Sequence, residues 1–445
     1  MDPIRRASSP RAWLLHFVYD LLWAVCAVAS LPWWVTRCIL NRTFRRLVWE
    51  RLGFELKGLL QKGEAPRVLV HGVSVGEVKA AQALVEGLEQ RGYEVVLSAT
   101  TDTGIAVASK IYGAQRVARF PLDFSPVVAR FLRAIRPDAV VLVELEVWPS
   151  FLLAANRLGL PVAVVNGRIT ARSYERYDAF RYLLPQFHRI SMFCVQDEEY
   201  AERFRSLSSE PRRTVVTGNI KVDALPKEVR ATSEELLRIV AGEGTRQVVV
   251  AGSTHDPEER WAVEAWEEHF GGAALALCPR HPGRCEELAE ALSSGGRGVQ
   301  RLTELRTGGV ERDESQVLLV DTMGELEEIY GLADVVVVGG TFIPHGGQNM
   351  MEPAAAGCAV VHGPSVENFV QEARLLERAG ASRIVTGPEE LGPAVAALLA
   401  DDGARTEMGE RGRAAIAGER GATKATLEAL EALLPKAGSG VVAGG

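Results

Sequence analysis

The sequence predicts an α/β protein in which two doubly wound, parallel-sheet domains follow one another behind a membrane-attaching N-terminal segment. Three observations carry that prediction. From about residue 61, short apolar runs alternate with stretches of helical period or helix-cap signals. The alternation pauses once, over 224–245, and then starts again. A long apolar stretch flanked by arginines precedes both series.

The first series consists of Val68–Val70, Val95–Leu97, Ala139–Val143, Pro161–Val165 and Met192–Val195. Nearly continuous apolar runs of this length suit strands buried on both faces, hence parallel sheets. Strand–helix alternation then reads as a doubly wound domain. Residues 224–245 are charged and helical in pattern without a strand, as a connection between domains would be. The second series is Gln247–Ala251, Ala274–Cys278, Val317–Val320, Asp334–Val338 and Ala359–His362. A length of 445 residues accommodates two or three domains. The predicted division is 1–60 for the membrane-attaching segment, 61–230 and 231–435 for the two domains, and 436–445 for a flexible Gly-rich tail. Ligands of open parallel sheets bind at the carboxyl ends of the strands, so two such domains are expected to face each other across a cleft lined by those ends.

The net charge of −7 conceals an asymmetry. Residues 1–60 hold nine Lys/Arg against four Asp/Glu, a balance of +5, which leaves −12 for the remainder. A basic N-terminus on an acidic body suits an anionic membrane surface rather than nucleic acid. From Trp13 to Val35 the chain is mostly apolar, interrupted by His16 and Asp20. Its uninterrupted part, Leu21–Val35, is shorter than the ~20 residues a span needs. A single span and a helix lying partly in the bilayer both remain open. Arginines on both sides leave the orientation weakly biased toward a cytoplasmic body. The six cysteines are scattered with no CxxC pair and read as small core residues of a reducing compartment, without a zinc site.

In the first domain the strand at Arg67–Val70 runs into His71-Gly72-Val73-Ser74-Val75-Gly76-Glu77 and then a helix. Glu77 falls in the first helical turn at the carboxyl end of the strand, where a carboxylate can take a proton from an acceptor hydroxyl. The helix N-terminus makes it a weaker base, whereas desolvation would strengthen it. The bland reading is a carboxylate helping Ser74 to cap the helix. Gly72–Gly76 also matches G-x-S-x-G, the hydrolase nucleophile elbow, but it follows the first strand of the body and leaves a second domain unexplained.

Three loops of the second domain carry the marks of nucleotide chemistry. Cys278-Pro279-Arg280-His281-Pro282 puts an arginine fork after a strand, suited to phosphate. Asp321-Thr322-Met323-Gly324-Glu325-Leu326 joins a strand to a helix start. The stretch Gly339–Pro353 contains two glycine pairs whose backbone N–H groups are open to phosphate, Asn349 as a helix cap, and Glu352 placed for ribose hydroxyls. Each loop alone reads as a structural turn; three in one domain point to a nucleotide. No Asp-x-Asp pair stands beside them, so no metal site is indicated.

Taken together, these residues resemble the Kdo transferases (3-deoxy-D-manno-octulosonic acid transferases, glycosyltransferase family 30). The resemblance rests on eight ordered motifs: Val73–Val78, Glu144–Pro149, Asn166–Ile169, Gly218–Asp223, Ala251–His255, Pro279–Pro282, Asp321–Leu326 and Gly346–Pro353. It implies a GT-B fold, a CMP-Kdo donor, a lipid A precursor (lipid IVA) as acceptor, and inversion at the anomeric carbon. It also implies a site on the cytoplasmic side of the inner membrane, in contact with its lipids, and no metal or other cofactor. Carried over by motif, Glu77 matches the catalytic base, and Glu144 and Lys221 match positions that stabilise the transition state. Pro279, Arg280, Met323, Gly324, Glu325, Asn349, Met350, Met351 and Glu352 match CMP-binding segments. The sequence departs from the family pattern at Gln348, where a histidine is usual, and at Gly167 and Val147. Two rivals are a sugar-nucleotide 2-epimerase, which shares two such domains but needs no membrane segment, and a non-catalytic lipid-binding relative, which would not need Arg280, Asn349 and Glu352.

Overall fold

In the computed structural model the described residues are 10–54, 56, 62–180, 186–208, 210–225, 232–242, 246–308 and 310–436. They form two compact units, one of 1–224 and 420–445, the other of 225–419. Each unit is built on a seven-stranded, all-parallel sheet.

The sheet of the first unit contains β1 (Arg67–His71), β2 (Glu94–Ala99), β3 (Val117–Arg119), β4 (Ala139–Val143), β5 (Val162–Gly167), β6 (Met192–Val195) and β7 (Thr214–Val216). Their order in space is β3-β2-β1-β4-β5-β6-β7. Alternate residues of each strand feed two cores. Leu69, Val140, Leu142 and Val164 enter one, with Phe131, Phe151 and Phe193. Val68, Val70, Val141 and Val165 enter the other, with Leu84 and Leu88. Burial on both faces is what makes these strands read as unbroken apolar runs.

The second sheet contains β8 (Val248–Thr254), β9 (Ala274–Pro279), β10 (Val299–Arg301), β11 (Val317–Leu319), β12 (Val335–Val338), β13 (Ala359–His362) and β14 (Ser382–Ile384), in the order β10-β11-β9-β8-β12-β13-β14. All ten predicted strands are present. The four that the pattern does not reveal are β3, β7, β10 and β14, which are the two edges of each sheet and three residues long. An edge strand has one neighbour and less apolar demand, so its sequence carries a weaker signal.

The division of the chain differs from the predicted one. The second domain is expected to run from 231 to 435, yet the helix Ala422–Glu431 belongs to the first unit. Its Ala422, Leu427 and Leu430, with Leu434 beyond it, lie in the first unit's core beside Leu84 and Leu88. Burying each leucine contributes about 1.5–3 kcal/mol, which periodicity alone cannot assign to one domain or the other. The predicted boundary at 60/61 and the tail beyond Lys436 fall outside the described residues, as do 226–231 of the connection. The connection's described part contains the helix Glu234–Ala241 and no strand. Two helices, Pro10–Leu40 and Arg42–Arg51, precede the first sheet. The stretch Trp13–Leu40 is long and apolar enough to cross a membrane by length and composition.

Asp223 secures the returning helix. Its carboxylate accepts hydrogen bonds from the backbone N–H groups of Gly421 (2.8 Å) and Thr423 (2.6 Å). These belong to the helix start, which has no side-chain cap of its own. Replacing Asp223 by alanine is therefore expected to lower stability by about 1–2 kcal/mol, the range for a lost charged cap. Urea unfolding of the purified chain checks this; an unchanged midpoint would show that the helix start is held by other means.

Candidate functional site

In the first unit the loops after β1, β4 and β5 emerge side by side, because these strands are neighbours and parallel. The loop after β1 opens the short helix Val75–Ala80, with Glu77 in its first turn. Ser74 makes no side-chain bond to the helix backbone. Instead Glu77 reaches back: Oε2 accepts from the Val73 N–H at 2.6 Å and Oε1 accepts from the Ser74 hydroxyl at 2.8 Å. Gly72 lies against this side chain, where an added Cβ would sit 3.1 Å from the Glu77 Cβ. Ser74 thus serves the carboxylate, and the G-x-S-x-G match is a glycine-flanked turn. Both bonds stabilise the Glu77 anion, yet its pKa stands above the usual carboxylate value. Burial is the largest cause and the Glu144 charge adds to it, while the Val73 and Ser74 bonds and Lys221 oppose it. A carboxylate has about four acceptor positions, so two remain for a substrate proton.

Glu144 directly follows β4, in the left-handed region at φ 61°. Its oxygens pair with Lys221 Nζ at 2.5 Å and Arg168 Nε at 3.3 Å. Arg168 comes from the loop after β5. Lys221 sits on the four-residue helix Ile220–Asp223, which two asparagines hold in place. Asn219 accepts from the Lys221 N–H at 3.0 Å, and the buried Asn166, at φ 54°, accepts from the Ile220 N–H at 3.0 Å. Glu77, Glu144 and Lys221 are therefore brought into one electrostatic neighbourhood.

That neighbourhood includes Glu146, to which the sequence reading gave no role. Its Oε2 accepts from the Trp148 indole N–H at 2.7 Å. Its pKa is pushed up to about 7, chiefly by burial, with Glu77 and Glu144 adding to the rise. The Glu-Leu-Glu-Val-Trp spacing is visible in sequence, but only the fold shows that the second glutamate is desolvated.

In the second unit β11, β9, β8 and β12 are consecutive across the sheet, so their four following loops share one edge. Pro279 is the buried last residue of β9, and Arg280 is exposed beyond it, with its N–H bonded to the Thr254 carbonyl at 3.0 Å. After β11, Gly324 turns at φ 93°, Met323 is exposed, and Glu325 pairs with Arg306 at 2.6 Å. After β12, the helix Met351–Ala356 has Met350 at its N-cap, and Asn349 one residue before it accepts from the Met351 N–H at 3.0 Å. Its amide donates to Glu352 Oε1 at 2.9 Å. Met350 and Met351 are buried, so these two side chains pack beneath the helix start.

One expectation about this loop is corrected. The N–H groups of its glycine pairs are read from sequence as open to phosphate, and they are occupied. Glu258, a buried residue that the sequence reading missed, accepts from the N–H groups of Gly340 (2.7 Å), Phe342 (3.1 Å) and His255 (2.9 Å). The Gly346 N–H donates to Ser365, and that of Gly347 to the Gly340 carbonyl. Gly339 lies so close to β8 that an added Cβ would stand 2.4 Å from the Ser253 oxygen, which explains a glycine there without any ligand.

Three histidines gather at the same edge. The His255 ring lies 4.1 Å from that of His345 and 5.9 Å from that of His281, centroid to centroid. Gln348 contacts His255 with its Nε2 3.1 Å from the ring Nε2. The amide nitrogen can only donate, so this bond needs a neutral His255 with its proton on Nδ1. Burial first, then His345, His281, Arg284 and Arg280, hold the His255 pKa down at about 4. Among the described residues, no group of three or more His, Cys, Asp or Glu side chains is arranged to hold a metal ion. In an NMR titration the His255 imidazole is expected to stay neutral from pH 7 to 5 and to protonate near 4. A midpoint at the ordinary histidine value would contradict the packing.

Known proteins resolve the family. Residues 46–224 match the family described as "3-Deoxy-D-manno-octulosonic-acid transferase (kdotransferase)". The chain is 36% identical to the 3-deoxy-D-manno-octulosonic acid transferase of Bordetella pertussis, over 82% of this chain and 87% of that one. It is 29% identical to the enzyme of the same name from Haemophilus influenzae, over 95% and 99%. Among solved structures, the UDP-GlcNAc 2-epimerase from Neisseria meningitidis, bound to UDP-GlcNAc, superposes with a TM-score of 0.58 at 14% identity. That match covers 82% of this chain and all of that one, and shows a shared GT-B-like fold. Fold alone leaves transferase and epimerase equally placed; identity to the transferases separates them. The chain is a glycosyltransferase and belongs to the 3-deoxy-D-manno-octulosonic acid (Kdo) transferase family.

Proposed function

We propose that this chain transfers Kdo from CMP-Kdo to a lipid A precursor, lipid IVA, in one inverting displacement with Glu77 as general base. The observation that carries the reading is the Glu77 carboxylate: at the carboxyl end of β1, made more basic by burial, with two acceptor positions unused. As the acceptor oxygen bonds to the anomeric carbon of Kdo, Glu77 takes its proton. The bond from that carbon to the phosphate oxygen breaks, and CMP leaves with the electron pair. Attack opposite the leaving group inverts the centre, so one base suffices and no covalent intermediate forms.

Lys221, held by Glu144, supplies a positive charge for the donor carboxylate or the departing phosphate. The pair, 35% exposed at the lysine and 14% at the glutamate, fixes an otherwise flexible ammonium. Arg280 is exposed and makes no ion pair among the described residues, so its guanidinium is available to the CMP phosphate. Pro279, Met323–Glu325 and Asn349–Glu352 complete the donor contacts, with Glu352 accepting from ribose. CMP leaves as a monophosphate ester, whose modest charge calls for no metal ion. The reaction belongs to lipopolysaccharide core biosynthesis, on the cytoplasmic face of the inner membrane, where the N-terminal helices hold the enzyme beside its lipid acceptor.

Two substitutions separate base from donor site. Glu77→Gln is expected to lower transfer by roughly 10²–10⁴-fold while CMP affinity stays the same. Arg280→Ala is expected to weaken CMP binding measured by calorimetry. Transfer within a few-fold of wild type in the first variant, or unchanged affinity in the second, would remove the residue from its role. Counting the sugars added to lipid IVA by mass spectrometry gives the product directly. In the same assay EDTA is expected to leave the rate unchanged; loss of activity restored by Mg²⁺ would contradict the metal-free mechanism.

A further inference from the structure

The apolar helix Pro10–Leu40 is interrupted by His16 and Asp20, and Tyr19 lies between them. At spacings of three and four these side chains share one helical face, and that face is docked on the first unit. Tyr19 donates its hydroxyl to Asp123 at 3.0 Å. The same carboxylate accepts from the N–H groups of Ser150 and Phe151, at the start of the helix Pro149–Arg157. His16, which is buried, lies 3.0 Å from the Ser125 hydroxyl through its Nε2. Asp20 accepts from the Ser125 N–H at 3.3 Å, at the first residue of the helix Ser125–Ile135. Arg157 stacks over Trp13 at 4.2 Å.

The chain returns to the same patch thirty residues later. Arg119 donates to Glu50 at 2.7 Å. The Leu122 N–H donates to the Arg51 carbonyl at 3.0 Å, one residue from the Asp123 that holds Tyr19. Arg130 donates to the Leu52 carbonyl at 3.0 Å and lies 4.1 Å above the Phe54 ring. Exit and return points are therefore on one surface of one unit.

Between them a run of apolar side chains is left uncovered. Leu21, Leu22, Val25, Val28, Leu31, Trp33, Ile39 and Leu40 are all more than half exposed. Twenty residues of helix beyond Asp20 measure about 30 Å, so length alone permits a crossing. The return path forbids it. If Leu40 lay beyond the far headgroups, the ten-residue helix Arg42–Arg51, about 15 Å long, would have to recross about 30 Å of hydrocarbon. That helix also carries Arg42, Arg45, Arg46 and Arg51, and no helical residue of it is buried.

We propose that residues 21–49 form a monotopic insert seated in a single leaflet of an anionic bilayer, entering and leaving by the face that the first unit occupies. Its depth is limited to about half the hydrocarbon by the short return helix. Trp33 and Trp34 pack edge-on at 5.4 Å, and Arg37 lies over Trp33 and Phe44 at 5.2 and 5.4 Å. Tryptophan beside arginine suits the headgroup level of an anionic leaflet. The inference concerns membrane topology and does not depend on the proposed transfer reaction.

The experiment uses the full chain in native membranes, with one epitope tag at the N-terminus and another at the C-terminus. Sealed vesicles of each orientation are treated with protease and both tags are read by immunoblot. A monotopic insert makes both tags sensitive in the same vesicles and protected in the other set. A span puts them on opposite sides, so that one is digested where the other survives; that pattern overturns the proposal. In a second measurement the purified chain is mixed with phosphatidylcholine vesicles with and without phosphatidylglycerol. Removing the charges by Arg42→Gln and Arg45→Gln is expected to weaken binding to the anionic vesicles by about fivefold per residue. Equal binding by the variant to anionic vesicles would overturn the anionic part of the assignment.

Discussion

The candidate site of the first unit depends on the ion pair between Glu144 and Lys221. Glu144 stands in the left-handed region that non-glycine residues avoid, at a cost of the order of 1–3 kcal/mol. The conformation persists because its surroundings over-determine it. The Glu144 N–H donates to the Val165 carbonyl at 2.8 Å, and the carboxylate is gripped by Lys221 and Arg168. Lys221 is fixed in turn by Asn166 and Asn219, and Asp223 of the same short helix holds the start of the chain's last helix. A cation at the site is thus tied to the carboxyl ends of β4 and β5 and to the C-terminal return of the chain. The motif Gly218–Asp223 is dense because it joins mechanical roles at Asn219, Ile220 and Asp223 to an electrostatic one at Lys221.

That pair also sets how the neighbouring carboxylates divide their labour. Glu77, Glu144 and Glu146 occupy one region with Lys221 and Arg168, and both cations go to Glu144. Glu144 is thereby paired twice. Glu77 is left with two hydrogen bonds that favour its anion and with burial that opposes it, and burial prevails, so its pKa stands above the usual carboxylate value. Glu146, with one indole donor against its burial, is pushed up to about 7. Burial raises both Glu77 and Glu146, and the partners of each moderate the rise differently.

Much of this was legible in sequence, and the failures have physical causes. Ten strands were readable because burial on both faces of a parallel sheet leaves an unbroken apolar run. β3, β7, β10 and β14 were not, because an edge needs only three residues and tolerates Arg119, Thr214, Gln300 and Arg383. The placing of Ala422–Glu431 was hidden because an amphipathic helix does not record which core it fills. In the site, Glu77, Glu144 and Lys221 were found as motif positions, and the fold brings them together. Glu258 was missed because a glutamate at a helix start looks like solvated charge. Its target, the N–H groups of Gly340 and Phe342, lies more than eighty residues away. The glycine loop was misread for the same reason: a sequence shows that backbone donors exist, and cannot show that a protein carboxylate already satisfies them.

The occupied loop changes what the second unit can offer a nucleotide. With the donors at Gly340, Phe342, Gly346 and Gly347 engaged, an anion cannot be cradled there without displacing Glu258 or Ser365. Burying the Glu258 carboxylate is tolerable because three N–H groups and the start of its helix compensate it, and losing them would leave a desolvated charge. Arg280 stands exposed at the same edge, outside the occupied loop. The histidine trio fits the same logic. His255 is kept neutral by its neighbours and by the Gln348 amide, so it adds hydrogen-bonding capacity without adding charge. The glutamine at 348 supplies a fixed amide donor to the His255 ring.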